Sequence, residues 1–148
     1  MKQYENLEHT ADLKIRAFGQ TKEDVFANAA KGMFANILDE ENLLYDQPVE
    51  LEIKVESPDL MSLLVDYLSQ LLYLSDTNNE IYFDFDLAIW QRPSDSIGRP
   101  GKWILEGVAK GYKISGLKTE IKAVTYNDLK IEENEEDGAW LAEVVFDI

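Results

Sequence analysis

Two apolar stripes of helical period lie in the first half of the sequence, and from Glu80 onward the period drops to two and stays there. That division constrains the fold more than any other feature, because it allows two long helices and then only strands. The first stripe is Val25, Phe26, Ala29, Ala30, Met33, Phe34 and Ile37, recurring at three and four. Thr21-Lys22-Glu23-Asp24 opens it as a capping box, with Asp24 where Glu is commoner. Gly32 weakens the helix by about 1 kcal/mol relative to alanine. The second stripe is Leu60, Leu63, Leu64, Tyr67, Leu68, Leu71 and Leu72. Ser57-Pro58 before it reads as a helix cap with proline at the first helical position, where a missing N–H costs nothing. Asp76-Thr77-Asn78-Asn79 is turn chemistry that ends it.

Strand patterns surround these helices. Leu13 to Phe18 begins as an alternation of apolar and basic residues and stops at Gly19; Val49, Leu51, Ile53 and Val55 alternate with charged residues. Ile81, Phe83, Phe85, Leu87 and Ile89 share one face, opposite Tyr82, Asp84, Asp86, Ala88 and Trp90. The stretch 91–101, with Pro93, Gly98, Pro100 and Gly101, reads as a loop, and further strands are expected over 102–113, 119–131 and 140–147. Gly107 and Gly111, inside a strand pattern, mark bulges or close contacts. Parallel neighbours need long crossovers and antiparallel ones do not, so the C-terminal half is expected to be a meander. One sheet face can bury both helix stripes. The expectation is an α+β, two-layer fold, two helices on a mostly antiparallel sheet, forming a single domain over residues 1–148.

Charge and composition then remove function classes. Fourteen basic residues against 29 acidic ones give a net charge of −15, which repels phosphate backbones and makes direct, tight nucleic-acid binding a poor expectation. There is no cysteine, so thiolate metal sites and cysteine nucleophiles are excluded, and a single histidine, His9, excludes a multi-histidine site. The first eight residues lack a signal-peptide pattern, and no run approaches the roughly 18 apolar residues of a membrane span. A cytoplasmic protein without membrane contact is expected.

The chemistry-bearing residues are few. Neither a GxxxxGK[ST] loop nor a GxGxxG after a strand is present, and no serine stands in a strand–turn–helix elbow. Ser94 and Ser96 fall in the Pro/Gly loop. The run Glu132 to Asp137 matches no EF-hand spacing and reads as a solvated hairpin tip. Asp84 and Asp86 share the polar face of one strand, either as half of a hard-cation site or as ordinary water-facing residues. His9-Thr10-Ala11-Asp12 places Asp12 at a strand entrance, where it serves either a shared site or its own turn. Asp147 ends the last strand and Ile148 adds a carboxylate beside it. Should these meet Asp12, the three oxygen-bearing groups suit Ca2+ or Mg2+ rather than zinc. Lys122, expected on a strand face with Val124 and Tyr126, would serve near carboxylates as a counter-charge or phosphate contact.

Taken together, these segments resemble the archease family. The matching residues are His9-Thr10-Ala11-Asp12 with Gly19, the helix 23–30, Leu63 to Tyr73, Ile121 to Tyr126, and Val144 to Ile148, in order over nearly the whole chain. The resemblance implies a fold with a strand–helix–strand–strand core and a second such element embedded in it. It also implies an accessory protein, not itself an enzyme, that activates an RtcB-type RNA ligase in tRNA splicing and RNA repair. In that role an archease promotes guanylylation of the ligase histidine and allows repeated turnover. By the same resemblance a divalent metal, calcium first and Mg2+ or Mn2+ as alternatives, is held by Asp12, Asp147 and a backbone oxygen of Ile148, and Lys122 is the functional strand lysine. Asn127 stands where family members often carry histidine. Two rival readings differ in their consequences. A stand-alone metal-dependent hydrolase would act without any ligase, and an acidic adaptor or chaperone-like module would show no cation-dependent melting temperature.

Overall fold

The structure is a computed structural model that describes residues 2–116 and 120–148. It contains β1 (Tyr4–Leu7), β2 (Leu13–Gly19), α1 (Lys22–Ala35), β3 (Leu43–Ser57), α2 (Leu60–Asn78), β4 (Glu80–Gln91), β5 (Trp103–Ile114), β6 (Ala123–Glu133) and β7 (Trp140–Asp147), with a short 3-10 turn at Glu40–Asn42 before β3. The α+β class and the two helices are as the sequence predicts. The strands, all paired antiparallel, divide between two sheets rather than one: a four-stranded sheet in the order β1-β2-β7-β6 and a three-stranded sheet in the order β3-β5-β4.

The expected C-terminal meander is therefore broken after β5. Two hairpins, β4–β5 and β6–β7, belong to different sheets, and each places its second strand centrally, between its hairpin mate and a strand from earlier in the chain. A period of two reports a half-buried strand but carries no information about its neighbour, so the partition was not legible. Both helices lie between the sheets: α1 touches β1, β2, β7 and β4, and α2 touches β6, β3, β4 and β5. One continuous core results, joining Ile15, Phe26, Phe34, Leu64, Tyr67, Ile81, Leu105 and Phe146. Each such large side chain, once fully buried, contributes about 1.5–3 kcal/mol.

Local chemistry explains the element ends. Thr21 caps α1, its Oγ1 accepting the Asp24 N–H at 3.1 Å. The second cap is a correction: Ser57 is the last residue of β3, and Asp59 caps α2 by accepting the Ser62 N–H at 2.7 Å. Ser57 is buried instead, donating its hydroxyl to Asp66 Oδ2 at 2.6 Å. Asn79, in the left-handed region at φ 54°, closes α2. Tyr67 reaches from α2 to donate to the Phe26 carbonyl of α1 at 3.2 Å, and its burial holds the phenol's pKa well above the usual value.

The glycines inside the β patterns mark close approaches. A Cβ on Gly111 would lie 1.7 Å from the Ile81 carbonyl oxygen, and one on Gly107 would lie 2.3 Å from that of Asp86. Next to Gly111 the β4–β5 register shifts between Tyr82 and Asp84. Ile81 and Tyr82 are consequently both buried, where strict alternation puts Tyr82 on the polar face. Burial and the adjacent Glu80 push the Tyr82 phenol up to about 12. Gly32 is explained by sterics too, since a Cβ there would meet Ile15 Cγ2 at 2.9 Å and the Tyr4 ring at 3.2 Å.

Candidate metal centre

The far end of the four-stranded sheet is built by register. β2 and β7 pair from Gly19↔Trp140 to Leu13↔Phe146, so the same register extended by one residue sets Asp12 opposite Asp147. β6 pairs with β7 on the other side through Ala123↔Asp147, and the Lys122 N–H donates to the Asp147 carbonyl at 2.8 Å. Three of the sequence-predicted residues thus share one sheet end, Asp147 in the middle, Asp12 on one flank and Lys122 on the other. Ile148 follows Asp147 and is exposed. Lys122 lies one residue before β6 rather than within a strand; Thr119, the expected start of that strand, lies outside the described residues.

The pleat separates core from site. Leu13, Ile15 and Ala17 of β2 stand opposite Phe146, Val144 and Ala142 of β7, and Ile15, Ala17 and all three β7 residues are buried. Asp12 and Asp147 fall on the alternate positions, the face that carries Lys14, Arg16 and Glu143. On that face Glu143 is buried and accepts from Arg16 Nε and Nη2, both at 3.0 Å, with Lys14 Nζ at 3.8 Å. The Glu143 hydrogen bond is the main cause that raises the Arg16 pKa further. Those two cations are therefore engaged along the strand, and the sheet end itself is left acidic.

His9 joins the sheet end from the loop before β2. Its Nδ1 lies 3.4 Å from Asp12 Oδ2, and its Nε2 lies 3.3 Å from Asp128 Oδ2. No sequence signal points to Asp128 as a neighbour. It is brought in by an irregularity in β6: the register passes from Thr125↔Val145 to Lys130↔Glu143, so Tyr126 to Leu129 bulge out opposite Val144. Asp128 itself has a positive φ of 52°. Thr125 pins the start of the bulge, its hydroxyl donating to the Val145 carbonyl at 2.9 Å and accepting the Asn127 N–H at 3.3 Å. Ala11, at φ 61°, makes the tight turn between His9 and Asp12.

The donor chemistry fits a divalent cation: two carboxylates from facing strand ends, a main-chain oxygen at Ile148, and the buried Nδ1 of His9, which makes no hydrogen bond. Among the described residues no three His, Cys, Asp or Glu side chains converge as a ready-made cage. Lys122 also lines a cavity of about 590 Å3 whose other walls include Ser69, Tyr73, Asp76 and Glu120.

The remaining candidates stay apart from this end. Asp84 and Asp86 are exposed on β4, in the other sheet. Glu132 and Glu133 end β6 and Asn134 to Asp137 form the β6–β7 hairpin tip, where Asn134 and Asp137 side chains accept the Glu136 and Ala139 N–H groups at 2.9 Å each. Ser94 is bonded within its own loop, to the carbonyls of Ser96 and Arg99. Among the described residues no helix is long and apolar enough to cross a membrane.

Comparison with known proteins identifies the family and the fold. The model of the archease protein family (MTH1598/TM1083) matches residues 4–148. The archease of Pyrococcus furiosus is 41% identical, with both chains covered completely. That of Methanosarcina mazei is 42% identical over 99% of this chain and 97% of its own. Among solved structures, protein 1598 of Methanobacterium thermoautotrophicum superposes with a TM-score of 0.74 at 30% identity, covering all of both chains. An archease from Thermotoga maritima, described as a possible chaperone, shares the fold at a TM-score of 0.60 and 23% identity, over 96% of this chain and 94% of its own. The chain belongs to the archease family.

Proposed function

We propose that this chain is a divalent-cation-dependent activator of an RtcB-type RNA ligase, working in the cytoplasm in tRNA splicing and RNA repair. The observation that carries the reading is the sheet-end register, in which Asp12 stands opposite Asp147 and Lys122 is hydrogen-bonded to Asp147 from the far side. Asp12, Asp147 and a backbone oxygen of Ile148 hold the cation, calcium first. When bound, such a cation neutralises phosphate charge during guanylyl transfer. The chain's own residues do the rest. The two carboxylates are presented at an exposed rim, and Lys122 supplies a counter-charge or a phosphate contact beside them. A net charge of −15 favours docking on a basic protein surface and disfavours holding RNA directly. The protein contributes no catalytic group of its own.

The test is ligase turnover. An excess of RNA ends and GTP is mixed with a catalytic amount of the same organism's ligase, with and without this protein. Product stopping near one equivalent without it, and continuing with wild type but not with Asp147→Ala or Lys122→Ala, supports the reading. An active ligase that turns over equally in all mixtures refutes it.

A further inference from the structure

The one histidine of the chain sits at the sheet end in a way that ligase activation as proposed does not use. His9 stands between two carboxylates, Asp128 Oδ2 at 3.3 Å from Nε2 and Asp12 Oδ2 at 3.4 Å from Nδ1. Carboxylates only accept, and a neutral imidazole has one N–H to give. The Nε2–Asp128 contact has hydrogen-bond geometry, whereas Nδ1 is buried and bonded to nothing. With the hydrogen on Nε2, the Nδ1 lone pair and the Asp12 oxygen are two acceptors facing each other across 3.4 Å. Such a pair is repulsive unless a positive centre lies between them. Bonds of about 2.1 Å to nitrogen and oxygen, at a tetrahedral angle, separate two donors on one metal ion by about 3.4 Å.

The other ring nitrogen has the partner this arrangement calls for. A metal-ligating histidine donates its remaining N–H to a carboxylate, which fixes the tautomer and the ring orientation. Here Asp128 takes that place, carried there by the bulge of β6 and its own left-handed backbone. We propose that His9 Nδ1 is a nitrogen donor to the cation held by Asp12, with Asp128 as its orienting carboxylate. The site then takes first-row divalent cations, Mn2+ among them, more tightly than its oxygen donors alone would, because imidazole adds affinity for those ions and little for Ca2+. The inference rests on the assignment of Asp12 and Asp147 as metal ligands.

A single histidine makes the test unambiguous. Untagged protein is loaded with Mn2+ and its electron spin echo envelope is recorded. Imidazole 14N modulation is expected in wild type and its loss in His9→Gln, which offers an amide oxygen in place of the nitrogen. Calorimetry on the same proteins is expected to show Mn2+ affinity falling about tenfold or more in His9→Gln and in Asp128→Asn, with Ca2+ affinity of His9→Gln within about threefold of wild type. Bound Mn2+ without nitrogen modulation in wild type overturns the inference, as does an equal loss of both cations in His9→Gln. Should His9→Gln fail to fold, the wild-type echo alone decides. Asp147→Ala separates the two levels. If it binds Mn2+ as tightly as wild type, the metal-centre assignment itself fails; if it loses Mn2+ while wild type lacks nitrogen modulation, only the role of His9 fails.

Discussion

Gly111→Ala is the substitution whose cost follows most directly from the structure. Gly111 lies in β5, the central strand of the three-stranded sheet, opposite Val49 on one side and Tyr82 on the other. An added Cβ would sit 1.7 Å from the Ile81 carbonyl oxygen, 2.7 Å from its carbon and 2.8 Å from Tyr82 Cα, where ordinary contact begins at 3.4 Å. All three neighbours are main-chain atoms, so no rotamer change relieves the overlap. β4 must move away by more than 1 Å, stretching the flanking ladder hydrogen bonds, each with a net value of about 0.5–1.5 kcal/mol. Two weakened bonds and the displaced packing of Ile81 and Tyr82 together cost about 2–4 kcal/mol, at or above the ordinary range for overpacking. For a chain of this length that lowers Tm by about 10 °C. Urea unfolding followed by tryptophan fluorescence should show a lower midpoint at unchanged slope. The cation-dependent increment in Tm should stay intact, because the proposed metal centre lies in the other sheet. A Gly111→Ala protein within about 0.5 kcal/mol of wild type, a change ordinary for surface substitutions, refutes the close-approach argument.

Three further outcomes are expected. Saturating Ca2+ at about a hundred times its dissociation constant should stabilise wild type by about 2.7 kcal/mol, read as a rise in Tm that chelation reverses; Asp12→Asn and Asp147→Ala should lose the rise. Asp59→Ala should cost about 1 kcal/mol by uncapping α2, whereas Pro58→Ala should cost far less, and equal effects in calorimetry would contradict the cap assignment. Between pH 10 and about 12 native Tyr82 keeps its proton while the unfolded chain releases it. The stability it contributes is therefore complete below pH 10 and falls as pH rises, by up to about 1.4 kcal/mol per unit; Tyr82→Phe should flatten the alkaline limb, and an unchanged slope counts against the burial of that phenol.

The parts of the fold carried by local periodicity could be read from the chain. The stripe from Val25 to Ile37 is buried almost completely, as its spacing predicts. What escaped depends on partners. β1 is short and polar and exists because Tyr4 to Leu7 can pair with the edge of β2. β3 begins at Leu43, earlier than expected, since Pro48 reads as a strand breaker; it is tolerated beside a register shift on an edge strand. Ser57-Pro58 imitates a cap, yet the aspartate two residues on has the better geometry. At the candidate site, the meeting of Asp12 with Asp147 follows from the β2–β7 register, which a single sequence cannot supply. Asp128 reaches His9 only through a bulge that strict alternation conceals.

The pairing of Leu13 with Phe146 also sets a timetable. The β3-β5-β4 sheet is made from one middle stretch of the chain and closes through comparatively short loops. The β2–β7 pairing joins opposite ends of the sequence, so its loop-closure entropy is met late and its contact order is high. Asp12 and Asp147 become neighbours only when that last pairing forms. With Asp12 and Asp147 as the proposed ligands, acquisition of cation affinity during refolding should report this long-range step, and a chain arrested before it should have its helices and one sheet but not the proposed metal centre.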